Sequence, residues 1–286
     1  MTSPPPLLPL MLRGAAYSPF KRPRTTNTPP PAATSRIDGL QVRADHLTAY
    51  ERVCAYPTGS PELPVTYPHI LGFPLAMRLM STRTFPLPLL GLVHTSIEIT
   101  QQQDVSPTGT YELTVGIPEL RPHRRGTEAV VVTALRPTGD TAEKPVWEST
   151  STYLARHKTD TREQDQREQQ EQPATPLPEI AEWRLSGDLG RRYGAASGDR
   201  NPIHLHPLTA RAFGFPRAIA HGMWTVARCL AEFGARGPVH VQARFRAPVL
   251  LPGTVTYAAR GPAFELRSAK DGDRVHLTGE VTGLPR

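Results

Sequence analysis

Residues 193–223 read YGAASGDRNPIHLHPLTARAFGFPRAIAHGM, and two features inside them carry the chemistry and the architecture. Asp199 and His204 stand five residues apart in a polar loop closed by Asn201 and Pro202. A chain turning back over such a loop brings a carboxylate and an imidazole to the same water, the pair needed to take a proton from one atom and give one to another. Asn201 offers an amide donor and an acceptor to hold such groups in place. Further on, Met223, Val226, Ala227, Leu230 and Phe233 recur every three or four residues, which predicts a short, mostly buried helix over Gly222 to Phe233. Its first turn leaves main-chain N–H groups unpaired, and its dipole favours a developing negative charge. Gly222 has no side chain, so a carbonyl oxygen can approach the backbone there.

Other readings of the same residues stand beside this one. An Asn-Pro pair in a loop is ordinary turn chemistry, and His221 before a helix can be a polar or capping residue. His204 and His206 form an H-x-H pair to which Asp199 and His221 add two further candidate metal ligands. Ser197 is a possible nucleophile, but G-A-A-S-G lacks the spacing of a G-x-S-x-G elbow.

Outward from this segment, a short strand is expected at Ala181 to Leu185, then an irregular polar stretch to Pro207. Strands are expected at Val239 to Arg246, Thr254 to Arg260, Phe264 to Ser268 and Val275 to Val281, set apart by Pro-Gly, Gly-Pro and Asp-Gly turns. This is a helix followed by an antiparallel meander. The first half repeats the pattern. Phe73 to Met77 aligns with Ile219 to Met223, and Gly91 to His94 with Gly237 to His240, both at an offset of 146; Pro107 to Thr110 falls near Pro252 to Thr254. Three matches in order indicate a duplicated fold. Residues 1–36, rich in proline with five basic residues and no acid, are expected to be an unpacked extension, and 157–178, charged and glutamine-rich, a solvated linker. The packed units expected are therefore 37–156 and 179–286.

Composition sets the outer bounds. The chain has 286 residues, 38% of them hydrophobic, enough for one large or two ordinary cores. Two cysteines far apart, Cys54 and Cys229, exclude a disulfide-rich scaffold and a four-cysteine zinc site, and suit a reducing, cytoplasmic setting. No run of 18 apolar residues provides a membrane span. The formal charge of +7 suits an anionic partner. There is no basic run with interleaved aromatics, which argues against nucleic acid.

The motif formed by Tyr193, Ser197, Gly198, Asp199, Asn201, Pro202, Ile203, His204 and Ala210, followed by Gly214 to Met223, resembles that of the MaoC-like dehydratases and (R)-specific enoyl-CoA hydratases. His240 and Phe245 to Val249 resemble the family's next strand. The first half, including Leu63 to Pro68 and His94 to Thr100, resembles the degenerate repeat of single-chain bacterial, particularly actinobacterial, members. The resemblance implies an α+β double hot-dog, two repeats each with an antiparallel sheet wrapped around a central helix. With no Asp-x4-His in the first repeat, and Leu75-Ala76 aligned with His221-Gly222, it implies one active site per chain.

As function, the resemblance implies reversible hydration of a trans-2-enoyl thioester to a (3R)-3-hydroxyacyl thioester in fatty-acid metabolism. Asp199 and His204 would be catalytic, Asn201 orienting, and the Gly222 N–H an oxyanion donor. Ser197 and His221 would be substrate contacts. Phe73, Met77 and Met80 would line an acyl tunnel, although helical spacing equally suits plain core. Arg244 and Arg246 would meet phosphate, or else form a solvated strand face. No cofactor or metal is implied; coenzyme A or acyl carrier protein would enter with the substrate. The chain would be a monomer or a homodimer. A non-catalytic acyl-thioester-binding subunit and a hot-dog thioesterase are the alternatives.

Overall fold

A computed structural model describes residues 34–159, 176–270, 272 and 274–284, together with 9, 10, 13, 14, 17, 18 and 21. Most of 1–36 and 157–178, the expected extension and linker, lies outside the described residues. β1 (Thr34–Gln41) takes three residues from that expected extension, and the Ser18 hydroxyl, buried, accepts the Leu90 N–H at 3.0 Å.

The first repeat continues with α1 (Ala44–Cys54), α2 (Tyr67–Met80), β2 (Val93–Gln101), β3 (Thr110–His123), β4 (Gly126–Pro137) and β5 (Trp147–Arg156). The second runs β6 (Glu179–Leu185), α3 (Leu189–Ser197), α4 (Pro202–Leu205), α5 (Pro207–Ala212), α6 (Gly222–Phe233), β7 (Val239–Phe245), β8 (Gly253–Arg260), β9 (Ala263–Ser268) and β10 (Val275–Gly283). All strands join one antiparallel sheet in the order β1-β3-β4-β5-β2-β7-β10-β9-β8-β6. Read inward from either edge, each half has its own first, third, fourth, fifth and second strands in that order. The two halves are copies of one topology, joined where β2 pairs with β7 from Ser96 opposite Arg244 to Gln101 opposite Val239. The fold is a double hot-dog with α2 and α6 as its central helices.

The strands follow from alternation. In β7, Val239, Val241 and Ala243 point into the core while Gln242 and Arg244 are exposed. α6 has the limits its periodicity predicts, closed by Gly234 at φ 76°, a left-handed cap that glycine adopts without strain. One core cluster spans both repeats and joins Tyr50, Trp147 and Ile99 to Trp224, Val241 and Leu277.

Two expectations change. The stretch before Pro207 is not irregular: α3 buries Leu189, Tyr193 and Ala196 on one face, a pattern obscured by Gly190 and Gly194. The helix register of the repeat also differs. β2 and β7 do open 146 residues apart, but α6 opens at Gly222 and α2 at Tyr67. Residues 81–92 link helix to strand in the first repeat and the shorter 234–238 in the second, so Leu75-Ala76 sit inside α2 and not at its start.

Glu51 of α1 is 1% exposed, and neither carboxylate oxygen has a hydrogen-bond partner. Burial pushes its carboxyl above the usual range. A raised native pKa costs no stability below the unfolded value near 4.5, and the cost grows as pH rises through the native one. Glu51→Gln is therefore expected to raise unfolding free energy by about 1 kcal/mol or more at pH 7. At pH 4 the denaturation midpoint should hardly move.

Candidate active site

Gly198, at φ 79°, ends α3 and turns the chain so that three successive polar side chains close on their own backbone. Ser197 Oγ accepts the Asp199 N–H at 3.2 Å, Asp199 Oδ1 the Asn201 N–H at 3.1 Å, and Asn201 Oδ1 the Ile203 N–H at 3.3 Å. Asn201 is thus the N-cap of α4, with Pro202 at the first helical position. It caps the short helix that carries His204. Ser197 is 4% exposed, and its hydroxyl holds the turn.

His204, 8% exposed, donates from Nδ1 to the Ile219 carbonyl at 2.8 Å. A carbonyl only accepts, so the proton is on Nδ1 and the neutral ring carries its lone pair on Nε2. His221, the N-cap residue of α6, donates from Nε2 to the Asp199 carbonyl at 2.9 Å. Its ring stacks on His204 at 3.7 Å, and the Tyr193 ring packs against it, tilted, at 4.8 Å. His221 is a buried wall that braces both Asp199 and His204. One donor atom from each of Asp199, His204 and His221 lies within 4.8 Å of the other two. His206 does not converge with them: it is exposed and its ring accepts the Leu208 N–H at 3.2 Å, capping α5, so the H-x-H reading loses a ligand.

Burial dominates the electrostatics. It pushes the His204 and His221 imidazoles down, with Asp199 partly opposing this at His204. It pushes the Asp199 carboxyl up against the pull of His204 and the Asn201 N–H. Both moves bring acid and base closer to one another in proton affinity.

Gly222 opens α6 beside this pair. A Cβ there would lie 2.9 Å from the Phe245 ring, so a side chain fits only if that ring shifts. Phe245 in turn contacts His94 of β2 at 4.7 Å between centroids, and His94 stacks on Tyr153 of β5 at 4.4 Å. The Tyr153 phenol is pushed up by burial and by the charge of Asp199. The first repeat therefore supplies the wall near the Asp199 loop through His94 and Tyr153. Neither is singled out by sequence, where each is one polar aromatic residue in an alternating strand.

Met77 and Met80 are 5% and 2% exposed and pack with Val115, Ile117, Leu120 and Val131, with Phe73 at the edge of the same cluster. Their position is the core of the first repeat, as helical periodicity alone would have them. Arg244 and Arg246 are exposed on either side of Phe245.

Residues 159–267 match the family model for the MaoC like domain. The 3-hydroxyacyl-thioester dehydratase X of Mycobacterium tuberculosis is 36% identical over 280 residues, which cover 96% of this chain and 97% of that protein. The chain belongs to the MaoC-like dehydratase family. A crystal structure of the same mycobacterial protein superposes on this MaoC-like chain with a TM-score of 0.75 at 34% identity, covering 88% of this chain and all of the other. A MaoC-like dehydratase from Phytophthora capsici gives a TM-score of 0.68 over 89% of this chain and 95% of its own; at 18% identity it supports the fold. Among the described residues of this MaoC-like protein, no helix is long and apolar enough to cross a membrane.

Proposed function

We propose that this protein is a hydro-lyase that interconverts trans-2-enoyl and (3R)-3-hydroxyacyl thioesters in fatty-acid metabolism. The observation that carries the reading is the hydrogen bond from His204 Nδ1 to the Ile219 carbonyl, which leaves a lone pair on Nε2 next to the Asp199 carboxylate at the opening of α6. In the hydration direction the pair holds a water, removes its proton as the oxygen bonds to C3, and returns a proton to C2. The reverse sequence expels water. The Gly222 N–H holds the thioester oxygen, where negative charge collects as C2 gains carbanion character. These steps need neither redox chemistry nor a metal. The substrate is an acyl thioester of coenzyme A or acyl carrier protein.

The test follows the conjugated enoyl absorbance after adding protein to short- and long-chain trans-2-enoyl thioesters, with thiol release and product chirality measured in parallel. Loss of conjugation without thiol release, a (3R) product, and indifference to a chelator are expected. Thiol release would mean a thioesterase, and no reaction with either carrier a binding subunit.

The pH profile carries a sign. Because burial disfavours the imidazolium, kcat/KM should fall on the acid side with an apparent pKa below the ordinary imidazole value of 6.5. Asp199 favours the imidazolium, so the residual activity of Asp199→Asn should show an acid limb shifted further down. An upward shift would contradict this assignment.

A further inference from the structure

The segment after the catalytic residues leaves an apolar pair exposed in a basic setting. Among the described residues, five large apolar side chains are exposed, and two of them, Leu208 at 65% and Phe213 at 40%, belong to α5 and its C-cap. Arg191, Arg200, Arg211 and Arg217 are exposed around the same loop. Arg191 donates to the Leu205 carbonyl, Arg211 to that of Pro216 and Arg217 to that of Pro252. Main-chain carbonyls position the Arg211 and Arg217 guanidinium groups without neutralising them, while Arg191 also faces the Asp188 carboxylate. From Arg200 to Ala231 the sequence contains no aspartate or glutamate.

α5 is fixed to the active site. His206 ends α4 and caps α5, and Thr209 Oγ1 donates to the Pro202 carbonyl at 2.6 Å. Ala210 is fully buried beneath the exposed face. Leu208 is four residues from His204, so whatever covers this helix sits at the site's own doorstep.

We propose that α5 is the docking surface for an acidic carrier protein, whose phosphopantetheine arm delivers the acyl thioester to Asp199 and His204. The proposal rests on the hydro-lyase reading above. An apolar centre with a charged rim is the make-up of a protein–protein contact. The exposed Arg200, Arg211 and Arg217 supply the field that steers an acidic partner. The phosphates of free coenzyme A would use the arginines but leave Leu208 and Phe213 without a matching surface.

The test measures kcat/KM for one enoyl group carried either by an acidic acyl carrier protein or as its pantetheine thioester, which lacks the protein. Wild type is expected to use both. Leu208→Glu, Phe213→Ser and Arg211→Glu should each lower kcat/KM for the carrier-protein substrate by about tenfold or more and leave the pantetheine thioester within about twofold. Arg211→Ala should fall between Arg211→Glu and wild type, with thermal midpoints unchanged. Equal loss with both substrates would mean that the patch only supports the catalytic loop, and no loss with either that the carrier docks elsewhere; each overturns the proposal. A wild-type protein that dimerises through this helix, losing the dimer in Leu208→Glu, would assign the patch to a second copy and also overturn it. If wild type hydrates neither substrate, the hydro-lyase reading fails and this proposal with it.

Discussion

Asp199→Asn is expected to lower kcat/KM for enoyl-thioester hydration by about 10²- to 10⁴-fold, the range for losing a positioned acid–base group. The asparagine Oδ1 still accepts the Asn201 N–H that Asp199 Oδ1 accepts at 3.1 Å, so the turn survives and only the proton chemistry goes. His204→Ala should cost as much turnover, but it also strips the Ile219 carbonyl of its donor. A buried carbonyl left unpaired costs about 1–3 kcal/mol, so this variant should melt earlier. The two residues act on one water, and the double variant should be scarcely slower than either single one. Steady-state kinetics with thermal melts read all three. Near-wild-type turnover in Asp199→Asn would remove the carboxylate from the mechanism.

Gly190→Ala is expected to lower kcat/KM by about 10²-fold although residue 190 touches no substrate. Glycine inside α3 costs about 1 kcal/mol relative to alanine, so helix propensity alone makes this a stabilising change. The packing reverses the expectation. A Cβ on Gly190 would sit 1.9 Å from the His204 carbonyl oxygen and 2.9 Å from its carbon. Both atoms are backbone and cannot move aside by changing rotamer, so α3 and α4 must part. That displacement pulls His204 from the Ile219 carbonyl and from Asp199 together. Kinetics should show a loss in kcat, and the melting temperature should fall. A higher melting temperature with full activity would mean that α4 does not lie on Gly190.

The candidate site was readable because it is local. Asp199, Asn201 and His204 lie within six residues, and the same short loop that spaces them in sequence brings them together in space. The contact of Asn201 was not readable: its oxygen goes to the Ile203 N–H as a cap. Met77 and Met80 show where periodicity runs out, since a three-residue spacing marks an apolar face without saying whether lipid or core lies against it.

By itself, the sequence determined that two similar units are joined in one chain, that α6 spans Gly222 to Phe233, and that a carboxylate and an imidazole stand close together before it. Those are consequences of periodicity, capping and short-range turns, all written in neighbouring residues. The tertiary structure alone decided that His94 and Tyr153 lie near the loop of Asp199. They reach it because β2 pairs with β7 across the two repeats, a contact between residues nearly 150 positions apart. It alone decided the helix register of the first repeat, since a longer connection over 81–92 breaks the constant offset. It alone also decided why residue 190 is glycine, because the atom that excludes a side chain there belongs to His204, on another helix.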